Sequence, residues 1–465
     1  MLKRTAHNAR LRTLAAGLLC LAACLALSAG EAKPATAPDP AVKPAAAQPA
    51  AEAAGEWQKI ETRVVPLPQP RHILSPGVFD GDLQKTITFP KDGSAVDTGL
   101  PHGGQDKDGK PYPPIMARVQ QNFIWIDFNG DGKPGSDETR PIAPDGTTNA
   151  FTCELHYDDG TAGQYAFCLK TIVEHERFAL LRCTARGAEF QGRKLVLLDD
   201  NGNGKYDDAG QDVVIVGDNP PCFLGKYLRL GDKFYEVLAH AAGATLEVRP
   251  APKFETGTVD AFEKYKPSQK AENLKLHMLI VTGADYSIGF DERHKTAPVP
   301  AGTYDLAFGL LERAKEVVYF KKGEKTSFSV AAGQSAAPVW GGTVKMKFDV
   351  SIEEKGVLVT PPVFMGAGSE QYAPENYRVV PVLASIAQCF TDRQRIEHRI
   401  PFGQKRYDVL SSGELAPRLF QPYRLANDEY EIAVDYNSGI MGSVTGRVRL
   451  QYVPPAKKKT PDKHP

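Results

Sequence analysis

A twelve-residue stretch carries oxygen-bearing side chains at a spacing that could surround a hard cation. Residues 127–138 read D-F-N-G-D-G-K-P-G-S-D-E. In calcium loops of this length, positions 1, 3 and 5 give side-chain oxygens, position 7 its carbonyl, and position 12 two carboxylate oxygens. The predicted ligands are Asp127, Asn129, Asp131, Lys133 through its carbonyl, and Glu138. Glycine at position 6 permits the sharp turn, and we predict that this stretch binds Ca²⁺.

A second stretch lies 72 residues further on and shares the pattern D-x-N-G-x-G-K with the first. Its predicted Ca²⁺ ligands are Asp199, Asn201, Asn203, Lys205 through its carbonyl, and Asp207. Its twelfth position is Gly210, so Asp208 or Asp212 would have to replace the missing closing carboxylate. Fewer charges at the required positions predict weaker binding than in the first stretch. Asn-Gly and Asp-Gly pairs are also ordinary hairpin turns, which is the alternative interpretation of both stretches.

The chemistry of both stretches resembles the calcium loops of the EF-hand and dockerin families. The first stretch, however, follows the strand-like run 122–126 and not a helix. Pro134 removes a backbone N–H from the loop, and Pro141 would break a helix that followed it. We therefore expect calcium to brace strands, with the dissociation constant of about 10⁻⁴–10⁻³ M that is typical of extracellular modules. Residues 106–110 read D-K-D-G-K, half of such a loop, and are predicted to form a turn.

The elements around these loops are predicted to be strands. Short apolar or alternating runs such as 123–126, 194–198 and 213–216 are separated by glycine, proline, asparagine and aspartate. Helical periodicity is scarce by comparison. The pattern predicts an all-β, multidomain chain of β-sandwich and immunoglobulin-like modules with calcium-type loops between strands.

Three folded domains are expected, at 57–250, 255–340 and 342–454, and the first contains both calcium-type loops. Residues 299–306 read V-P-A-G-T-Y-D-L, which resembles a strand-entry segment of carboxypeptidase-regulatory-like and transthyretin-like domains. That resemblance implies a β-sandwich for the second domain. Alternation in 344–350 predicts an immunoglobulin-like sandwich for the third.

The N-terminus has the features of an export signal. Four basic residues precede the apolar run 14–27, which is shorter than the roughly 20 residues that span a membrane. Residues 21–24 read L-A-A-C and resemble the lipobox of bacterial lipoproteins, which implies removal of residues 1–23 and lipidation of Cys24. Cleavage near residues 28–30 without a lipid is the alternative. An Ala/Pro-rich linker is predicted at 24–56 and a basic, disordered tail at 455–465.

The charge balance argues against a nucleic-acid partner. The chain has 56 basic and 56 acidic side chains, and removal of the signal leaves 52 against 56, or about −4. No basic excess remains to neutralise phosphates. The expected partners are a cell-envelope protein or a polysaccharide, and the lipid anchor is the expected membrane contact.

The cysteines outside the signal are odd in number: Cys153, Cys168, Cys183, Cys222 and Cys389. An exported chain permits disulfides between them. Cys153 and Cys168 flank the turn-like residues 158–160 and could face each other across a hairpin. Buried, unreactive thiols are the alternative. No C-x-x-C occurs, so the spacing indicates neither a redox centre nor a cysteine-type zinc site.

Catalytic motifs are absent from the sequence. There is no H-E-x-x-H, and the nearest approach to G-x-S-x-G, at 333–337, lacks the final glycine. We predict a calcium-binding, exported protein at the outer membrane, periplasm or cell surface that acts as a structural or binding module. One alternative is a secreted or periplasmic polysaccharide hydrolase, whose catalytic domain would show a pocket lined by converging acids. A soluble periplasmic binding protein is a third hypothesis.

Overall fold

The computed structural model of the protein describes residues 55–67, 86–106, 108–144, 146–173, 176–267, 273–353, 356–374, 382–389, 395–402, 418–420 and 429–451. Within these ranges every regular secondary-structure element is a β-strand, which confirms the all-β prediction. No helix in the described ranges is long and apolar enough to cross a membrane. The predicted signal, Cys24, most of the linker and the basic tail lie outside these ranges.

The first seventeen strands lie between residues 58 and 250. They are β1 (Gln58–Glu61), β2 (Arg63–Pro66), β3 (Thr86–Thr88), β4 (Val96–Asp97), β5 (Met116–Gln120), β6 (Phe123–Asp127), β7 (Thr139–Pro141), β8 (Phe151–His156), β9 (Ala162–Val173), β10 (Arg177–Arg182), β11 (Thr184–Phe190), β12 (Arg193–Leu198), β13 (Val213–Val216), β14 (Cys222–Phe223), β15 (Tyr227–Leu230), β16 (Lys233–Ala239) and β17 (Thr245–Pro250). They form sheets of order β1-β17-β16-β15, β3-β10-β9-β8, β14-β13-β12-β11-β2 and β4-β5-β6-β7.

The remaining described strands continue to residue 451. They are β18 (Thr256–Asp260), β19 (Lys275–Thr282), β20 (Ser287–Phe290), β21 (Thr296–Pro300), β22 (Gly302–Arg313), β23 (Glu316–Lys321), β24 (Ser327–Val330), β25 (Ser335–Ala336), β26 (Lys345–Lys347), β27 (Val350–Glu353), β28 (Gly356–Val359), β29 (Val363–Met365), β30 (Gln371–Pro374), β31 (Val382–Cys389), β32 (Arg395–Phe402), β33 (Arg418–Phe420), β34 (Glu429–Ser438) and β35 (Gly442–Gln451). Their largest sheet has the order β20-β19-β22-β23-β30-β29-β26, with β24 paired to β22. The others are β21-β18-β25, β27-β28-β33 and β32-β31-β34-β35.

Local sequence explains why these strands form and where they turn. In β8, Phe151, Cys153 and Leu155 are buried while the residues between them are exposed, the two-residue period of a strand with one covered face. Between β11 and β12 the turn consists of Gln191 and Gly192, both with positive φ. A two-residue turn of that conformation matches the twist of the strands it joins.

Three clusters of buried apolar side chains form the core. One lies among the sheets before residue 250 and another among those after it. The third joins the two regions, because Val196 and Leu198 of β12 pack with Met278 and Ile280 of β19. The predicted boundary at 340–342 falls within the largest sheet, where β23 pairs with β30.

Glu370 stabilises the largest sheet near the boundary at 340–342, and its replacement should destabilise the folded protein. The side chain is 0% exposed and accepts hydrogen bonds from the N–H groups of Gly341 and Gly368 and from the Tyr372 hydroxyl. Glu370→Ala leaves three buried donors without an acceptor, so we expect unfolding to become easier by about 3 kcal/mol or more. Urea denaturation measures this, and the exposed Glu324→Ala should stay within about 0.5 kcal/mol of wild type.

Candidate metal centre

The first calcium-type loop connects two paired antiparallel strands. Strand β6 ends at Asp127, β7 begins at Thr139, and Trp125 pairs with Thr139. The N–H of Ile126 donates to the carbonyl of Glu138 at 2.8 Å. Both ends of the loop are therefore fixed by one strand pair, in agreement with the prediction that a strand leads into it.

Side-chain oxygens of the first loop accept hydrogen bonds from its own backbone. The carboxylate of Asp127 accepts from the N–H of Gly132 at 3.0 Å. Asn129 accepts from Asp131 at 2.8 Å, and Asp131 accepts from Lys133 at 2.7 Å. Gly132 has φ of +73°, the left-handed conformation that glycine adopts without strain. These bonds wind the backbone around the side-chain oxygens.

Glu138, the residue before β7, closes the loop. Its Oε1 accepts from the N–H of Phe128 at 3.0 Å, and its Oε2 accepts from the N–H of Gly135 at 3.0 Å. The side chain is 2% exposed. It therefore holds the first and last parts of the loop together, at the position predicted to close the ligand shell.

Three carboxylates of this loop converge. One oxygen from each of Asp127, Asp131 and Glu138 lies within 4.8 Å of the others. Oxygens on opposite sides of a calcium ion are about 5 Å apart, because Ca–O distances are about 2.3–2.6 Å. Asp127 is 5% exposed, and its Oδ1 is buried without a hydrogen-bond partner. A buried, unpaired carboxylate oxygen is unfavourable, and a cation among the three carboxylates would satisfy it.

The other two predicted ligands of the first loop lie beside this cluster. Asn129 and Lys133 are both exposed. The Asn129 side-chain oxygen already accepts a bond from the backbone, and the Lys133 N–H bonds to Asp131. Their roles as calcium ligands stay predictions.

The second loop, residues 199–212, connects β12 to β13, which pair antiparallel. Its hydrogen bonds repeat those of the first loop. They are Gly204 N–H to Asp199 Oδ2 at 2.7 Å, Asn203 N–H to Asn201 Oδ1 at 3.0 Å, and Lys205 N–H to Asn203 Oδ1 at 2.8 Å. The shared pattern D-x-N-G-x-G-K thus produces the same backbone path twice.

Asp212 closes the second loop as Glu138 closes the first. Its Oδ1 accepts from the N–H of Asp200 at 3.3 Å, and its Oδ2 accepts from the N–H of Asp208 at 2.8 Å. Asp212 is 0% exposed, whereas Asp207 is exposed. The structure thus turns Asp212 towards the inside of the loop, and the role of Asp207 as a ligand stays a prediction.

Acidic side chains accumulate in the interior of the second loop. Burial raises the pKa of Asp199 to about 6, although the Tyr165 hydroxyl donates to its carboxylate at 2.6 Å. Burial and then the neighbouring Asp199 raise the pKa of Asp212 to about 9. Arg182 pairs with the buried Asp200. The raised pKa values indicate that ionised carboxylates are disfavoured here, and a bound cation would favour them.

Tyr165 and Arg182 were not identified from the sequence. They lie on β9 and β10 and bond to residues 34 and 18 positions further along the chain. Neither has a fixed spacing from the loop, so no sequence signal marks them. Strand pairing alone brings them to it.

The half-loop at 106–110 forms a turn, as predicted. Asp106 Oδ1 accepts from the N–H groups of Asp108 and Lys110 at 2.9 and 3.0 Å. Gly109 has φ of +75°. An aspartate bonding to the backbone two residues on is an ordinary turn, and no closing acid accompanies it here.

A cavity of about 330 Å³ lies between the strands on either side of residue 250. The side chains at its wall include Arg193, Arg229, His294 and Asp232. Hydrolysis of a glycosidic bond by the usual route needs two facing carboxyl groups. Asp232 is the single acid among the described residues that line this cavity, so the cavity lacks that pair.

No protein-family model matches the chain, and no curated protein sequence matches it.

Proposed function

We propose that the protein is a calcium-binding module of the bacterial cell envelope, exported and anchored by a lipid on Cys24. The main support for calcium binding is the Oδ1 atom of Asp127. This atom belongs to a group of three converging carboxylates and is buried without a hydrogen-bond partner. The protein would have a structural or binding role, with a cell-envelope protein or a polysaccharide as its partner.

The donor set favours calcium over softer metals. Carboxylates provide all three converging groups, and neither a histidine nor a thiol belongs to the group. Oxygen donors suit hard cations such as Ca²⁺, whereas nitrogen and sulfur donors suit zinc and copper. Asp131 is exposed, which gives an ion a route from solvent into the loop.

Calcium in this position acts as a brace and not as a switch. The loop joins strands β6 and β7, whose pairing fixes both of its ends. In sensor proteins the ion changes the angle between two helices, and here the neighbours are paired strands. Calcium would stiffen the loop, and the second loop would be stiffened in the same way between β12 and β13.

Calorimetric unfolding with and without calcium tests the calcium site. Binding to the folded state alone adds about 1.4 kcal/mol per site when calcium is at ten times Kd. Asp127→Asn should remove the part of this calcium-dependent gain in stability that comes from the first loop. The amide keeps an oxygen that can accept from the N–H of Gly132, but it loses the negative charge. Asp137→Asn makes the same charge change at an exposed position of the same loop and should keep the wild-type rise. An equal rise in Asp127→Asn and wild type would exclude calcium from the first loop.

Labelling of cells with radioactive palmitate tests the anchor. Lipidation of Cys24 predicts label in the wild-type protein and partition into the detergent phase. Cys24→Ser should lose both, because serine offers no thiol for acylation. A wild-type protein that stays unlabelled and in the aqueous phase would favour soluble export.

A further inference from the structure

Two cysteines lie on the same face of neighbouring strands. In the pairing of β9 with β10, Cys168 stands opposite Leu181. Cys183 follows two residues after Leu181, and its N–H donates to the carbonyl of Ala166 at 2.8 Å. Residues two apart on a strand share a face, and so do residues directly opposite. Cys168 and Cys183 are therefore diagonal neighbours on one face.

The side chains of these two cysteines lie close together. A side-chain hydrogen bond with Cys168, and then burial, raise the pKa of Cys183. The Cys183 thiol also donates to the carbonyl of Leu181 at 3.9 Å. Both side chains are half-buried, so a small reagent can reach them. Cys183 lies in the one-residue gap between β10 and β11, where the chain leaves one sheet for another. A disulfide has a Cβ–Cβ distance of about 3.8 Å, so the bond would draw the end of β10 closer to β9.

Two further cysteines, Cys153 and Cys222, lie elsewhere in the fold. Cys153 pairs with Tyr165 across the β8–β9 hairpin, which puts it on the opposite face from Cys168. The predicted contact between Cys153 and Cys168 is therefore wrong. Cys222 is buried in the sheet of β12 to β14, where its thiol donates to the carbonyl of Val214 at 3.7 Å.

We propose that Cys168 and Cys183 form a cross-strand disulfide in the mature protein. The oxidant is another disulfide, such as oxidised glutathione. One cysteine loses its proton and attacks a sulfur of the oxidant, which releases one thiol. The second cysteine then attacks the mixed disulfide, forms the intramolecular S–S bond and releases the second thiol. Two protons and two electrons leave the protein, and the oxidant takes up both.

The disulfide would act close to the second calcium-type loop. Arg182, the residue before Cys183, donates from Nη1 to the carbonyl of Asp200 at 3.0 Å and also pairs with its carboxylate. A covalent link at Cys183 would hold the end of β10, and with it Arg182, against that loop.

Peptide mapping of the wild-type protein tests the link. The protein is incubated with oxidised glutathione, its remaining thiols are alkylated under denaturing conditions, and it is cleaved after lysine, arginine and glutamate. Cleavage after Glu154 separates Cys153 from Cys168, so the expected product joins residues 155–170 to residues 183–186. Its mass should be about 2 Da below the sum of the two peptides, since two hydrogen atoms are lost. Alkylation of both Cys168 and Cys183 would overturn the proposal.

Variants separate this link from other pairings. Cys153→Ser should keep the joined peptide, and Cys183→Ser should abolish it. A joined peptide that contains residue 153 or residue 222 instead would also overturn the proposal. The link and calcium binding are measured separately, so loss of one result leaves the other intact.

Discussion

Replacing Arg182 by methionine should lower the free energy of unfolding, most strongly at alkaline pH and there by up to about 3–5 kcal/mol, the usual cost of removing one partner of a buried ion pair. The Asp200 side chain is 0% exposed, and its Oδ1 pairs with Arg182. The other carboxylate oxygen is buried without a partner. Methionine retains much of the apolar stem of arginine but leaves the Asp200 carboxylate with no cation.

The effect should depend on pH in a defined direction. Burial raises the pKa of Asp200 to about 7, while the charge of Arg182 opposes that rise. Without Arg182 the pKa rises further, and the folded variant must keep a proton that the unfolded chain releases. The variant should therefore lose stability, relative to wild type, increasingly as pH rises above about 7. The difference should shrink at lower pH, where Asp200 becomes neutral in both proteins.

Urea denaturation at several pH values measures this difference. Arg193→Met is the matched control, because Arg193 is exposed and should give a change within about 0.5 kcal/mol. Adding Asp200→Asn to Arg182→Met should recover part of the loss, since the uncompensated charge is then gone. Equal unfolding midpoints for Arg182→Met and Arg193→Met would show that the pair contributes nothing to stability.

The strands could be predicted from the sequence, but their partners could not. Alternation in β8 and the polar turn after it indicate a hairpin, and β8 does pair with β9. The same residues do not set the register, and a shift of one residue moves a side chain to the other face. In the observed register Cys153 lies opposite Tyr165 and not opposite Cys168. Pairings such as β1 with β17 join distant parts of the chain, and local pattern carries no information about them.

The two loops show that sequence spacing predicts only some of the residues of a site. The first loop contains its own closing acid at the expected position, so its three converging carboxylates could be identified from spacing alone. The second loop is closed by Asp212, and the sequence offered Asp208 and Asp212 as equal substitutes. The structure gives the two acids different contacts. Asp212 accepts from the backbone of Asp200 and Asp208, as Glu138 accepts from backbone in the first loop, whereas Asp208 accepts from the side-chain amides of Asn201 and Asn203. These contacts depend on how the chain returns to β13, which spacing does not reveal.

Without calcium, the stability of the protein should fall as pH rises from about 5 to about 9, and Asp212→Asn should remove much of this fall. Burial raises the pKa of Asp212 to about 9, whereas an unfolded aspartate has a pKa of about 3.9. Between these values the folded protein retains a proton that the unfolded chain has lost. Each pH unit then costs up to about 1.4 kcal/mol, so the total is on the order of several kcal/mol. Stability from this group is complete below about pH 4 and is lost as pH rises through about 9.

Calcium should reverse the trend, because it binds ionised carboxylates and competes with their protons. Thermal unfolding at pH values from about 5 to 9, in EGTA and in calcium, measures the pH dependence of stability without and with the ion. Asp212→Asn should flatten the EGTA curve and reduce the calcium-dependent rise at high pH. The exposed Asp207→Asn should change the EGTA curve much less. A larger loss of the calcium response in Asp207→Asn than in Asp212→Asn would make Asp207 the ligand and contradict closure by Asp212.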